Sequence, residues 1–305
     1  MVISAMTEII GSTPVFKFTD RDYPMPQGSM IYAKLEHLNP GGSIKDRLAQ
    51  YLIEEGIKTG KITEKTTIIE PTAGNTGIGL ALVALNYHLK TIFVVPEKFS
   101  LEKQQLMKAL GARVINTPSA EGIVGAIQKS KELAKSIEPS YLPLQFENPD
   151  NPKAYYHSLG PEIVQELGVN LQSFVAGIGS GGTFAGTAKY LKEQIPTIRL
   201  IGVEPEGSIL NGGEAHAHEI EGIGVEFIPP FLADLSIDGF ETISDQEGFS
   251  HTRELAKKSG LLVGSSSGAA FVAALREVQR LPEGSAVLTI FADVADRYLS
   301  KGIYL

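Results

Sequence analysis

The chain has 305 residues, 43% hydrophobic and 20% charged, with 32 glycines, a balance typical of an α/β protein that fills one large domain or two ordinary ones. A net charge of −8 disfavours a surface built from clustered lysine and arginine, so nucleic acid is not expected as a partner. The absence of cysteine removes disulfides, thiolate metal sites and a cysteine nucleophile together; with no apolar run near the roughly 20 residues that cross a bilayer and no basic-then-apolar start over Met1 to Gly11, a cytoplasmic protein without membrane association is expected.

In chain order, the first element of note is the turn Asn39-Pro40-Gly41-Gly42-Ser43-Ile44-Lys45-Asp46-Arg47, which leads into a helix with Ser43 as candidate N-cap and Lys45 in the first turn. A strand is expected over Thr66 to Glu70, then a polar Gly-rich turn and a helix from Gly77 to about Tyr87. Next come a strand over Thr91 to Val95, a helix from about Ser100 to Leu110 stopped by Gly111, a strand over Ala112 to Asn116 and a helix over Gly122 to Ser136. The turn-rich Asn148-Pro149-Asp150-Asn151-Pro152 marks a boundary. Beyond it, strands are expected over Ser173 to Gly177, Arg199 to Val203 and Ala286 to Phe291, with a helix from about Thr183 to Gln194. Strands alternating with helices are the pattern of βαβ units and a parallel sheet.

Two loops join a strand to a helix and offer converging N–H groups to an anion. Gly179-Ser180-Gly181-Gly182-Thr183 suits a phosphate, because glycines let the backbone approach its oxygens and the Ser180 and Thr183 hydroxyls add donors. The bland alternative is a turn that needs glycine for its dihedrals. No lysine follows in nucleoside-triphosphate spacing, but Gly177 to Gly182 also satisfies G-x-G-x-x-G, and Glu204 stands where a ribose hydroxyl would sit. An NAD-dependent dehydrogenase is therefore the alternative from a different class. The second loop, Pro71-Thr72-Ala73-Gly74-Asn75-Thr76-Gly77, suits a carboxylate, or is a plain helix cap. A lysine near a helix N-terminus opposes the macrodipole, which favours the neutral amine that imine chemistry needs. Taken alone, Lys45 beside Asp46 would ordinarily be a solvated surface residue. His216 and His218 lack the partners and spacing of a metal site, and no metal is expected.

These residues carry a resemblance to the cysteine synthase and cystathionine β-synthase family, pyridoxal-phosphate enzymes of the second fold type. It runs from Ile10-Gly11-Ser12-Thr13-Pro14 through Lys34-Leu35-Glu36 and Asn39 to Arg47 as far as Arg297-Tyr298-Leu299-Ser300. The resemblance implies an α/β fold of two lobes, each a mostly parallel sheet flanked by helices, with pyridoxal 5'-phosphate in the cleft between them. A smaller mobile lobe over 41–150 would carry the lysine and substrate loop, and a larger one over 1–40 plus 151–305 the phosphate loop. Lys45 resembles the Schiff-base lysine that also removes the Cα proton, Asn75 the residue bonding the ring hydroxyl, Gly179 to Thr183 the phosphate loop, and Ser266 of Gly264-Ser265-Ser266-Ser267-Gly268-Ala269 the partner of the pyridine nitrogen. Thr72, Ala73, Gly74, Asn75, Thr76 and Gln145 correspond to the substrate site, and Gly222 of Gly222-Ile223-Gly224 to the segment flanking its mouth. A serine hydroxyl cannot hold a pyridine nitrogen protonated as a carboxylate would, which favours elimination over a long-lived carbanion.

The implied activity is β-replacement on O-acetyl-L-serine, or L-serine, by a sulfur nucleophile through an aminoacrylate, with ping-pong kinetics. Typical cysteine synthases have serine where this chain has Ala73. The combination of Glu70 to Gly77, Glu204 to Gly213 and Ser300 to Tyr304 is more similar to the bacterial O-acetylserine-dependent cystathionine β-synthases. Homocysteine giving cystathionine is therefore expected ahead of sulfide, with a cysteine synthase as the alternative within the family. The resemblance also implies a homodimer and admits serine acetyltransferase as a partner.

Overall fold

The computed structural model describes residues 2–72, 74–97 and 99–305. Among the described residues the strands are β1 Val15–Thr19, β2 Met30–Leu35, β3 Thr67–Pro71, β4 Lys90–Pro96, β5 Arg113–Thr117, β6 Ser140–Tyr141, β7 Ser173–Gly177, β8 Arg199–Pro205, β9 Gly239–Ile243 and β10 Ala286–Phe291. The α-helices among them are α1 Lys45–Lys58, α2 Asn75–Asn86, α3 Leu101–Ala109, α4 Gly122–Ser136, α5 Asp150–His157, α6 Leu159–Leu167, α7 Gly182–Gln194, α8 Asp245–Ser259 and α9 Ser265–Gln279. By internal contacts the chain divides into one unit of Met1–Ile10 with Asn39–Asp150 and another of Gly11–Leu38 with Asn151–Leu305. The division falls within the first turn of α5.

The first unit is a four-stranded sheet in the order β5-β4-β3-β6, parallel throughout. Every residue of β3 is buried, as a parallel strand covered on both faces requires. Ile68, Phe93 and Val95 of the sheet meet Ile53 of α1 and Leu80 and Val83 of α2 in one apolar cluster. The second unit is a six-stranded sheet in the order β1-β2-β10-β7-β8-β9, in which only the edge strand β1 runs antiparallel to its neighbour. Its core is aromatic at one end, where Phe18 and Tyr23 lie with ring centroids 4.7 Å from Phe271. α8 opens on a capping box between Ser244 and Glu247 and closes at Gly260 with φ +68°, the pattern that satisfies orphan groups at both helix ends.

A fully buried cation ties α6 to the sheet. Lys34 of β2 is 0% exposed, and its Nζ meets Glu162 at 2.5 Å and Glu166 at 2.7 Å and donates to the Thr13 carbonyl. A buried ammonium is tolerated only when paired in this way. No described helix is long and apolar enough to cross a membrane.

Candidate active site

The first unit carries the lysine and the candidate carboxylate loop. Lys45 is the first residue of α1, after Ile44 at the N-cap. Ser43, expected as the cap, acts from one residue earlier, its Oγ accepting from the Lys45 N–H at 3.2 Å. Asp46 is fully buried and accepts from the Gly41 N–H at 2.5 Å, which fixes the turn ahead of the lysine. α2 packs closely on this point, since a Cβ at Gly79 would lie 2.9 Å from the Lys45 main-chain oxygen and 3.2 Å from Ala49 Cβ. Lys45 and α2 thus belong to one closely packed helix pair.

α2 begins at Asn75, two residues earlier than the sequence pattern indicates. Its first N–H groups have no intrahelical acceptor, and Thr72 Oγ1 accepts from the Gly74 N–H at 3.3 Å. Ala73 lies outside the described residues. Thr76 and Gln145, 69 positions apart, are joined by a hydrogen bond from Thr76 Oγ1 to Gln145 Oε1 at 2.8 Å. With the amide oxygen engaged by Thr76, Nε2 is the end of Gln145 suited to an anion.

The second unit carries the glycine loop. α7 starts at Gly182, and Gly181 before it is left-handed, φ +84°, which only glycine adopts freely. A Cβ at Gly179 would lie 3.3 Å from the Gly222 carbonyl carbon and closer still to its oxygen, while one at Gly182 would collide with the Asn151 side chain. Asn151, read from sequence only as part of a boundary, is fully buried and donates from Nδ2 to Ser180 Oγ at 3.1 Å. Its value to the loop lies in a contact across 29 positions, which nothing in its own neighbourhood reveals.

Gly222 belongs to a segment that also reaches the serine turn, where the Glu221 N–H donates to Ser265 Oγ at 3.4 Å. On the other side Ser267 Oγ accepts from the Ala292 N–H at 3.1 Å. The outer two hydroxyls therefore serve the protein. Ser266 between them is 6% exposed, and its hydroxyl has no hydrogen-bond partner among the described residues. A loop of close-packed glycines at a helix start and one uncommitted hydroxyl at another suit a phosphorylated ring with a basic nitrogen.

Glu204 does not serve a dinucleotide ribose. Its carboxylate accepts from the Leu210 and Asn211 N–H groups at 2.8 and 3.1 Å and from Thr242 Oγ1 at 3.0 Å, so it is used up in closing the loop after β8. Among the described residues no group of three or more histidine, aspartate or glutamate side chains is placed to hold a metal ion.

A family model described as pyridoxal-phosphate dependent enzyme matches residues 6–293. The chain is 82% identical over 305 residues to a cysteine synthase of Helicobacter pylori, covering 100% of both chains. It is 54% identical over 303 residues to an O-acetylserine dependent cystathionine beta-synthase of Bacillus subtilis, covering 99% of this chain and 98% of that one. A crystal structure of an O-acetylserine dependent cystathionine beta-synthase from Helicobacter pylori superposes with a TM-score of 0.98 at 82% identity, covering 100% of both chains.

Proposed function

Because the chain belongs to the family of pyridoxal-phosphate-dependent enzymes, we propose that it replaces the β-substituent of O-acetyl-L-serine with a sulfur nucleophile, homocysteine, to give cystathionine and acetate. The observation that supports this reading is the close approach of Gly79 to the Lys45 backbone, which packs a lysine at a helix start against the helix that follows the candidate carboxylate loop. The substrate is a small molecule, as the family implies.

When bound, the cofactor supplies an electron sink next to the Cα–H bond of the amino acid. Gly179 to Thr183 would hold its phosphate with main-chain N–H groups and two hydroxyls, Asn75 would bond its ring hydroxyl, and the Ser266 hydroxyl would donate to its ring nitrogen. A serine there, unlike a carboxylate, would not hold that nitrogen protonated, which would suit loss of acetate from Cβ. Lys45 would hold the cofactor through its ε-nitrogen, and its amine would take the Cα proton of the substrate. Thr72, Ala73, Gly74, Asn75, Thr76 and Gln145 hold the substrate carboxylate, which fixes Cα against Lys45. Gly222 lies beside the phosphate loop at the mouth of the site. The expected assembly is a homodimer in the cytoplasm, with serine acetyltransferase as a candidate partner.

Homocysteine is favoured by Ala73, which stands where typical cysteine synthases have serine, and by the name of the relative from Bacillus subtilis. The name of the Helicobacter pylori relative favours the second reading, sulfide giving cysteine. A steady-state panel crossing O-acetylserine and serine with homocysteine and sulfide separates them: the proposal requires the highest kcat/KM for O-acetylserine with homocysteine, and a larger value with sulfide would replace it by the second reading. Borohydride reduction and peptide mapping of the yellow holoenzyme are expected to find the cofactor on Lys45. Attachment elsewhere would refute the assignment of that lysine.

A further inference from the structure

Glu70 has no part in the chemistry above, yet it is a fully buried carboxyl, 0% exposed, one residue before the end of β3. Its two oxygens accept from successive main-chain N–H groups on a distant turn, Leu144 at 2.6 Å and Gln145 at 3.1 Å. Leu144 sits at φ +49°, a left-handed conformation that a leucine adopts only when its surroundings impose it. The next residue, Gln145, is 9% exposed and takes the hydrogen bond from Thr76 at the start of α2.

These contacts close a ring. Glu70 precedes the loop 71–75 in the chain and Thr76 follows it; Glu70 holds Gln145 by its backbone, and Thr76 holds it by its side chain. The candidate carboxylate loop is therefore enclosed at both ends by groups that converge on one glutamine. Without the Glu70 oxygens, Leu144 would lose a restraint on φ +49°, and two N–H groups, that of Gln145 buried and that of Leu144 partly so, would lose their acceptors.

We propose that Glu70 is a positioning residue that sets the affinity for the carboxylate-bearing first substrate by locking the 144–145 turn, so that the Gln145 amide is presented to that carboxylate. This rests on the reading of Gln145 and the 72–76 loop as the carboxylate site. Burial pushes the Glu70 carboxyl up to about 8, against the lowering effect of the two backbone bonds and with Glu147 adding to the rise. So costly a group at this point in a strand has its compensation in the turn it holds.

The test compares holoenzymes carrying Glu70→Gln, Gln145→Ala and both. Once ionised, above about pH 8, the carboxyl offers two acceptor oxygens where a glutamine offers one, so the comparison is made there. Glu70→Gln is therefore expected to raise KM for O-acetylserine about tenfold, the size that follows from one buried N–H losing its acceptor, with kcat changed less than about threefold. The double variant should be no worse than Gln145→Ala alone, because both act on one contact. Leu144→Gly, which takes φ +49° without strain, should recover part of the loss in the Glu70→Gln background, and gives a second comparison should Glu70→Gln alone fail to accumulate.

An unchanged KM in Glu70→Gln, or effects of the two substitutions that multiply in the double variant, would overturn the proposal while leaving the carboxylate site in place if Gln145→Ala still raises KM. If Gln145→Ala leaves KM unchanged, the carboxylate-site reading itself fails and this inference fails with it.

Discussion

Gly179→Ala puts the glycine loop to the most direct test. A Cβ there would stand 3.3 Å from the Gly222 carbonyl carbon and nearer its oxygen, where ordinary contact for carbon begins at about 3.5 Å. The obstacle is backbone, so it cannot swing aside as a flexible side chain would. It is also tethered, since Gly224 donates its N–H to the Ile178 carbonyl at 2.9 Å and Gly222 itself is at φ +87°. Either the loop or the 222–224 segment must shift, and forcing an extra carbon into a packed site costs about 1–3 kcal/mol. If that falls on the phosphate-binding conformation, affinity for pyridoxal phosphate drops between about fivefold and 150-fold. Fluorescence titration of the apoprotein with the cofactor reads the change, with Gly239→Ala as control, because a Cβ there meets only Ile201 at an ordinary 3.6 Å. Cofactor affinity in Gly179→Ala equal to that of Gly239→Ala would refute both the close approach and the assignment of the loop.

Glu70 also makes a prediction about pH. Burial raises its carboxyl from 4.5 to about 8, with Glu147 adding to the rise and Tyr141 as the other titratable group facing it; a raised folded pKa means that the stability lent by this group is full below about 4.5 and lost as pH rises through about 8. The stability of the parent protein relative to Glu70→Gln should therefore fall by roughly 1.4 kcal/mol per pH unit between about pH 5 and 8, and a flat difference in urea unfolding would contradict the placement of the carboxyl. Lys34→Met leaves Glu162 and Glu166 without the cation they share, though both keep some contact with water, and is expected to cost about 1–3 kcal/mol, read as a lowered urea midpoint; a loss below about 0.5 kcal/mol would show that Lys34 is not held in this buried pairing in solution. Ala73→Ser should move the kcat/KM ratio toward sulfide and away from homocysteine, and an unchanged ratio would detach nucleophile choice from that position.

Local pattern located the regular elements wherever a buried β-branched run was bracketed by turn residues. β7, β10 and α4 have the bounds read from sequence, since each ends where apolar periodicity gives way to glycine, a polar turn or the end of a helical repeat. β1, β2 and β9 were not legible in the same way. β2 carries Lys34 in its interior and β9 carries Glu241, and a charge inside a short strand breaks the apolar pattern unless its partner is known. For Lys34 that partner lies 128 and 132 positions away in α6. The helix α5 was hidden for another reason. Asn148, Pro149 and Pro152 read as a turn, but Asn148 Oδ1 accepts from the Asp150 N–H at 3.0 Å, so the same residues start a helix, with proline near the first turn where its missing donor costs nothing.

The candidate site divides along the same line. Glycines at 179–182 and the loop at 71–77 announce themselves because close backbone approach and exposed N–H groups demand particular residue types over a few consecutive positions. What holds those loops in place does not. Asn151 fixes the glycine loop through Ser180, and Glu70 fixes Gln145 through two main-chain N–H groups, and a main-chain donor leaves no trace in residue identity. A buried acid in an otherwise apolar strand is the one such sign that could have been read: Glu70 interrupts Ile68-Ile69 and Pro71, and a carboxyl at such a point must have donors somewhere. It gives no address for them, because the turn it holds is reached only after α2, β4, α3, β5, α4 and β6 have folded between. Residues proposed to touch a ligand are therefore open to reading from spacing, whereas residues that position those groups need the tertiary structure to be recognised.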